Sequence, residues 1–310
     1  MSKLNSKWFV LVNPASGGGK ISKLWPEVAN RFLEKGIQYE VFYTQKKSHG
    51  IELTQQGITS GFRNFIAVGG DGTLNEMLNG FFLQNQIPQS ELTLTALPLG
   101  TGNDWVKTWS IPKDLDTWFE MFGNRKIVTQ DVGMVRFKNG NKEGIRYFMN
   151  VAGLAYDAFV VEYAEQRKPK KWGKVFFLFM VLKCLFKYKY PEVSIYYDDQ
   201  SYKGKIYTIN IGICNFSGGG MEIVPHANPQ DGKFALTFVK PISKLGVLLN
   251  TYRFYNGSIG NHPKVSTSTV EEIQVDGVRT TVKLEVDGEL IGACPSNFTI
   301  LKNALNILVP

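Results

Sequence analysis

Asn64-Phe-Ile-Ala-Val-Gly-Gly-Asp-Gly-Thr73 decides the fold: an apolar run of strand length ends abruptly in glycines and one aspartate. An unbroken apolar run of this kind suits a strand buried on both faces, as in a parallel sheet. The loop after it suits an anion. Glycine lets the main chain approach closely and turn its N–H groups toward a phosphate, with a helix N-terminus behind. Leu74–Phe82 then reads as that helix.

The same grammar recurs on both sides. Upstream, Trp8–Val12 is an apolar run that ends in Asn13-Pro14-Ala15-Ser16-Gly17-Gly18-Gly19. Ile21–Lys35 follows as an amphipathic helix, with Leu24, Val28, Phe32 and Leu33 near one face and Gly36 as its stop. Tyr39–Thr44 reads as a strand and His49–Gln56 as a short helix. Downstream, Thr93–Leu97 runs into Pro98-Leu-Gly-Thr-Gly-Asn-Asp104. Strands alternating with helices imply a parallel sheet, whose ligands bind beyond the carboxyl ends of the strands. A single glycine-rich turn is often only structural. Three at successive strand ends, two of them holding aspartates, point to a nucleotide.

After Asp131 the texture changes. Short β-rich runs dominate: Val132–Lys138, Tyr147–Val151, Glu192–Tyr197, Lys205–Cys214, Phe234–Val239, Glu271–Val275, Thr281–Val286 and Phe298–Ile300. Turn signals at Lys138-Asn-Gly140, Asp231-Gly232, Asp276-Gly277 and Asp287-Gly288 separate them. The expected architecture is an α/β nucleotide domain over residues 1–131, then a mainly antiparallel β-sandwich over 132–303. One helical stretch, around 158–188, interrupts the second domain.

Bulk composition fits this reading. The chain has 310 residues, 43% apolar and 20% charged, which suits two globular domains rather than disorder. A net charge of +8 favours anionic partners such as phosphates or an anionic membrane. Three scattered cysteines, Cys184, Cys214 and Cys294, offer no zinc spacing and no disulfide framework, which fits a reducing cytoplasm. No signal peptide is expected at the N-terminus. The greasiest run, Val175–Leu182, is far short of the ~20 residues a membrane span needs.

Several motifs are excluded. Gly17-Gly18-Gly19-Lys20 lacks both the leading glycine and the trailing hydroxyl of a Walker A loop, since Ile21 follows the lysine. Gly69–Thr73 lacks the glycine spacing of a dinucleotide fingerprint. There is no Gly-x-Ser-x-Gly elbow, and His49, His226 and His262 form no ligand spacing. No recognition helix, finger or ribonucleoprotein signature accompanies the positive charge, so nucleic acid is not an expected partner.

Taken in order, Asn13-Pro-x-Ser-Gly, Gly69-Gly-Asp-Gly-Thr73, Pro98-Leu-Gly-Thr-Gly-Asn-Asp104, Asp131-Val-Gly and Asp287-Gly-Glu289 resemble the diacylglycerol kinase and sphingosine kinase catalytic superfamily. The likeness is greatest to its soluble bacterial lipid kinases. Gly218-Gly-Gly-Met221, Pro225-His-Ala227, Asp231-Gly232 and Leu308-Val-Pro310 extend it over nearly the whole chain.

The resemblance implies two domains, with ATP and lipid meeting in a cleft between them, and a C-terminal tail of about 304–310 that returns to the first. It implies nucleotide contacts from Asn13, Pro14, Ala15, Ser16, Gly17, Thr44, Gly70, Asp71, Gly72, Thr73, Leu74, Asn75, Glu76 and Thr101. It assigns the general base to Glu289, with Asp71, Asp104 and Asp131 as an acidic network around it and the nucleotide-bound Mg²⁺. A second, structural Mg²⁺ or Ca²⁺ is implied at Asp231 with the carbonyls of Phe234 and Leu236. Gln230 and Ala235 stand where acids are common there, which weakens the site. The acceptor would be diacylglycerol or a related lipid in phospholipid metabolism; monomer and homodimer both stay open. Two alternatives stand beside it: an NAD kinase, which shares the Gly-Gly-Asp-Gly-Thr loop, and a nucleotide-binding regulator without catalysis.

The stretch from Arg167 to Lys189 mixes lysines with aromatic residues, Trp172 and Tyr188 among them, around an apolar middle. It suits an interfacial helix drawn transiently to an anionic membrane at the inner face. A helix that buries its Phe face in the second domain explains the same pattern and is the commoner arrangement.

Overall fold

The computed structural model describes residues 7–167 and 174–310. Trp172 of the aromatic-basic stretch lies outside these residues. The chain divides into two compact units, Met1–Gln130 with Asn303–Pro310, and Asp131–Lys302.

The first unit is built on β1 (Trp8–Val12), β2 (Tyr39–Tyr43), β3 (Asn64–Val68) and β4 (Thr93–Leu97). They pair in parallel in the order β2-β1-β3-β4. Every residue of β1, β3 and β4 is buried, as unbroken apolar runs demand. Val12 is level with Val68, and Val68 with Leu97. The three strands therefore stop in step, and their glycine loops emerge along one edge of the sheet.

Helices α1 (Lys20–Glu34), α2 (His49–Thr59), α3 (Asp71–Phe82), α4 (Trp105–Thr108) and α5 (Leu115–Gly123) complete the unit. The buried face of α1 is Ile21, Trp25, Val28 and Phe32, spaced by four, three and four. Leu24 and Leu33, expected on that face, are exposed instead. Helix α3 begins at Asp71 rather than Leu74, so the phosphate-type loop is itself the first helical turn. The sequence reading lacked α5, which Asp114 caps by accepting from the Thr117 N–H at 3.0 Å. Residues 303–309 add a further parallel strand, with Asn306 opposite Thr93 and Ile307 opposite Leu94.

The second unit is mostly antiparallel: β5 (Lys126–Asn139, entering from the first unit), β6 (Lys142–Phe148), β7 (Val151–Ala155), β8 (Glu192–Tyr197), β9 (Gln200–Lys205) and β10 (Thr208–Gly212) come first. The short β11 (Phe216–Ser217) and β12 (Met221–Glu222) precede β13 (Phe234–Val239), β14 (Val265–Val270), β15 (Glu272–Val278), β16 (Lys283–Val286) and β17 (Glu289–Val309). One run of strands is β14-β13-β10-β7-β16. Another is β9-β8-β15, and β17 pairs with both β16 and β15. This is a β-sandwich. Helices α6 (Tyr156–Arg167) and α7 (Lys174–Lys187) interrupt it, and α8 (Lys244–Asn250) follows β13. Tyr156 and Tyr163 of α6 join Met180, Cys184 and Leu185 of α7 in a buried cluster with Tyr207. That part of α7 serves the core.

Three expectations change. The run Tyr147–Val151 spans the end of β6 and the start of β7, broken at Met149-Asn150. The run Lys205–Cys214 is two strands, β9 and β10, broken at Ile206-Tyr207. Asp276-Gly277 is no hairpin turn: both residues lie within β15, opposite Ser194 and Val193 of β8. Pairing along the strand overrides the local turn signal.

Candidate functional site

In the first unit the three loops are stitched to one another. Gly100 N–H donates to the Gly69 carbonyl at 2.8 Å, and Asn13 Nδ2 reaches Thr73 Oγ1 at 3.3 Å. Asn13 Oδ1 also accepts from the Ala15 N–H at 3.2 Å. Glycine is required where backbones meet: a Cβ on Gly100 would sit 2.5 Å from the Gly70 Cα. Gly17, Gly18 and Gly19 all hold positive φ, of 63°, 69° and 83°, which side chains strongly disfavour. Pro14, Ser16, Gly17, Gly70 and Gly72 are half-buried, and Ala15 and Thr101 are exposed, so this edge meets solvent.

Asp71 ties the middle loop to the third. Its carboxylate accepts from the N–H groups of Asp104 (2.9 Å) and Trp105 (3.2 Å). Protein atoms crowd it although part of its surface is open. Burial and the Asp104 charge push the Asp71 carboxyl above its ordinary range, partly offset by those N–H donors. Lys107, one helical turn after Asp104, meets its Oδ1 at 2.6 Å. The crowded Asp71 carboxylate, facing the Asp104 charge, forms with it a donor set that a hard cation would relieve. Asp71 and Asp104 thus fit the nucleotide-linked Mg²⁺ of the expected reaction.

The remaining nucleotide candidates have other duties as well. Glu76 accepts from the N–H groups of Ser48 (2.7 Å) and Gly50 (2.8 Å), clamping the start of α2 onto α3. Leu74 and Asn75 are buried within α3. Thr44 continues β2, its N–H bonded to the Val12 carbonyl at 3.0 Å. The broad hollow of about 870 Å³ near Lys7, Leu33 and Gly36–Val41 lies by the amino ends of β1 and β2, away from these loops.

In the second unit, Asp287-Gly288 makes the turn between β16 and β17, with φ of 48° and 84°. Positive φ at both central residues is the type I′ hairpin signature. The Asp287 carboxylate accepts from the N–H groups of Met149 (3.4 Å), Asn150 (3.3 Å) and Val151 (3.1 Å). Glu285 Oε2 accepts from Gly288 N–H at 2.8 Å. The turn is therefore held from both sides, and Glu289 leaves it as the first residue of β17. Arg146 of β6 meets Glu289 Oε2 at 3.0 Å. No spacing in the sequence marks Arg146. Lys107, by contrast, could have been found from its helical offset to Asp104.

Asp131 belongs to this unit. It is fully buried, and its Oδ2 accepts from Gly232 N–H at 2.6 Å. Of the expected network, Asp71 and Asp104 belong to the first unit, and Asp131, at the Asp231-Gly232 turn, belongs to the second. Asp231 is exposed, and its Oδ1 accepts from Lys233 N–H at 3.0 Å. Phe234 and Leu236 are buried in β13, which β10 and β14 flank on both sides. Among the described residues, no three His, Cys, Asp or Glu side chains cluster as a metal cage.

Residues 7–135 match the diacylglycerol kinase catalytic domain, and residues 150–309 match the YegS C-terminal NAD kinase beta sandwich-like domain. The chain belongs to the diacylglycerol kinase-like family defined by that pair of domains, a family of kinases. Among its relatives is the diacylglycerol kinase of Staphylococcus saprophyticus, 27% identical over 97% of this chain and 94% of that protein. The diacylglycerol kinase of Staphylococcus epidermidis is 28% identical over 97% and 91%. A crystal structure of a diacylglycerol kinase from Bacillus anthracis shares the fold, with a TM-score of 0.68, 20% identity and coverage of 98% and 97%. Yeast NADH kinase, crystallised with NADH, is a more distant likeness, at a TM-score of 0.51, 12% identity and coverage of 98% and 83%.

Proposed function

We infer that this chain is an ATP-dependent lipid kinase that transfers the γ-phosphate to the hydroxyl of diacylglycerol or a related lipid. The observation that carries the reading is Glu289, a carboxylate fixed by Arg146 on a turn that Asp287 locks. A phosphate-binding loop needs no such residue; a phosphotransferase does.

Phosphoryl transfer is largely a matter of position and charge. In this reading the stitched loops around Asn13, Gly70 and Thr101 hold the ATP phosphates through backbone N–H groups. Mg²⁺, held by Asp71 and Asp104 with the phosphates, would neutralise charge on the transferring group. Glu289 accepts the proton of the lipid hydroxyl as its oxygen bonds to the γ-phosphorus. The bond from that phosphorus to the β–γ bridging oxygen breaks, and ADP leaves. Asp131 and Asp287 act as positioning residues for the turns they hold. A reducing cytoplasm, with transient contact to the inner membrane face, is the setting that suits such a substrate.

The NAD kinase reading rests on the shared Gly69–Thr73 loop and on the distant fold likeness. It leaves the Asn13 loop and Asp287-Gly288-Glu289 without a role. The deciding experiment is a γ-phosphate transfer assay with diacylglycerol, a sphingoid base, NAD and NADH as acceptors. Transfer to diacylglycerol is the expected result. Transfer to the nicotinamide dinucleotides alone would overturn it, and ATP binding without any transfer would favour a regulator.

A further inference from the structure

Helix α8 and the turn after it, Thr251–Phe254, carry apolar side chains on two faces. One face is used. Val247 packs on the cluster of Tyr156, Cys184 and Tyr207, and Phe254 packs against Val224 and Ala235. The other face, spaced by four and three, is Leu245, Leu249 and Tyr252, which are 63%, 66% and 54% exposed. Tyr255 beyond them is 60% exposed. A helix that is apolar on both sides is ordinarily covered on both.

The surface continues onto α7. Phe186 is 60% exposed, and Lys244 joins the two segments. The Lys244 ammonium donates to the Phe186 carbonyl at 2.7 Å and lies 5.3 Å above its ring. This contact makes one patch of two distant stretches of sequence.

Its own two segments carry charge of one sign. No Asp or Glu occurs in residues 180–191 or 232–270, while Lys183, Lys187, Lys189, Lys244 and Arg253 all do. Among the described residues, Lys187 lies over the Tyr163 ring, Lys244 meets Phe186, and Arg253 contacts Asn250 and Ser258. Carboxylates lie at its margins: Glu222 faces Gly257 beyond the far end, and α6, beside Lys187, carries Glu162 and Glu165. Exposed Leu and Phe with Tyr and Lys around them match a bilayer interface, where apolar bodies enter and charged tips stay with the headgroups. A second copy fits less well. Twofold pairing of this face sets its cations against their own copies.

We propose that the Leu245–Leu249–Tyr252 face, with Phe186 and the lysines around it, docks this chain on an anionic lipid bilayer. The purpose of docking rests on the lipid-kinase reading; the docking itself is measured without it. The experiment is sedimentation with vesicles of phosphatidylglycerol and phosphatidylcholine, against vesicles of phosphatidylcholine alone. The unaltered chain is expected on the anionic vesicles and released by salt. The exposed-site pair Leu245→Gln and Leu249→Gln should weaken binding by about tenfold or more. Lys187→Glu with Lys244→Glu should weaken it further than neutral replacement, at about fivefold per lysine removed.

In parallel, transfer to a short-chain, water-soluble diacylglycerol should be the same in the Gln pair as in the parent. Equal vesicle binding by parent and Gln pair, or none by the parent, overturns the proposal. A parent dimer in sedimentation velocity that the Gln pair splits also overturns it, assigning the face to a second copy. If the binding pattern holds while no lipid is phosphorylated, the kinase reading fails and the docking surface stands.

Discussion

Arg146 and Glu289 stand 143 positions apart in sequence and meet at 3.0 Å, both largely shielded from solvent. The pair joins the β5–β6 hairpin to the start of β17, so the candidate base is oriented by a residue outside its own motif. Glu289→Gln keeps an acceptor for Arg146 and removes the proton-accepting charge. Turnover should fall by roughly 100- to 10,000-fold while ATP affinity stays within twofold or so. Full turnover in this variant would remove Glu289 from the mechanism.

Arg146→Ala removes the Arg146 hydrogen bond from the Glu289 charge. Loss of a charged hydrogen bond is worth about 1.5–3 kcal/mol, or roughly ten- to a hundredfold in rate if the cost falls on the transition state. The expected pattern is a lower kcat with ATP binding intact, and partial rescue in Arg146→Lys. A fall in ATP affinity alone would assign Arg146 to nucleotide binding instead.

Asp71 separates structure from chemistry in a different way. Asp71→Asn keeps one acceptor for the Asp104 and Trp105 N–H groups, whereas Asp71→Ala strands both. A buried donor without a partner costs about 1–3 kcal/mol. Thermal unfolding should therefore find Asp71→Ala clearly destabilised and Asp71→Asn near the parent. Both should lose Mg²⁺-dependent transfer. If Asp71→Asn remains active, its carboxylate is only a clamp.

The first unit was legible because β1, β3 and β4 are unbroken apolar runs closed by glycine, a pattern few other structures satisfy. Helix α5 was not, since nine residues rich in Trp118, Phe119 and Phe122 carry no period that separates helix from strand. Strand β14, Val-Ser-Thr-Ser-Thr-Val, is absent from the β-rich runs read in the sequence, because Ser and Thr fill its middle and its pairing with β13 is long-range. Asp276-Gly277 failed for a related reason: its turn signal is local, and β8 decides against it through Ser194 and Val193, far upstream in the sequence. The loop residues of the site were visible as motifs. The side chains that hold them, Arg146 above all, are set by long-range pairing that no local window contains.

Burial creates a pH dependence around the base-bearing turn. Asp157 and Glu285 both crowd Gly153, where a Cβ would meet Glu285 Oε1 at 2.4 Å and Asp157 Cβ at 2.9 Å. Burial pushes the Asp157 carboxyl up to about 6, and burial with the Asp157 charge pushes Glu285 well above the usual carboxylate range. The folded chain therefore binds more protons than the unfolded one between the ordinary carboxylate range and these raised values. Stability from this pair is complete below about pH 4 and is lost as pH rises through 6 and beyond. Glu285→Gln retains an acceptor for Gly288 N–H and removes one of the two charges. Its melting temperature should exceed that of the parent at pH 8, with the gap closing toward pH 5. A gap that widens on acidification would reverse the assignment.

The C-terminal strand makes the sharpest prediction about assembly. Leu305, Ile307, Leu308 and Val309 are buried, the Leu308 carbonyl accepts from Thr95 Oγ1 at 3.0 Å, and Asn306 Nδ2 donates to Ser90 O at 2.7 Å. Burying each such aliphatic side chain contributes about 1.5–3 kcal/mol. Four of them together rival the 5–15 kcal/mol that typically holds a domain folded. Deletion of residues 303–310 should leave the first unit unable to bind ATP and the protein largely insoluble. Adding the missing octapeptide in trans faces the lost chain connectivity and should rescue little. Ile307→Ala, which keeps the strand and removes one side chain, should cost about 2–5 kcal/mol and leave a folded, ATP-binding protein at low temperature. A deletion that still binds ATP with a parent-like melting curve would show that β4 can serve as the sheet edge, and that the last strand is dispensable to the nucleotide loops.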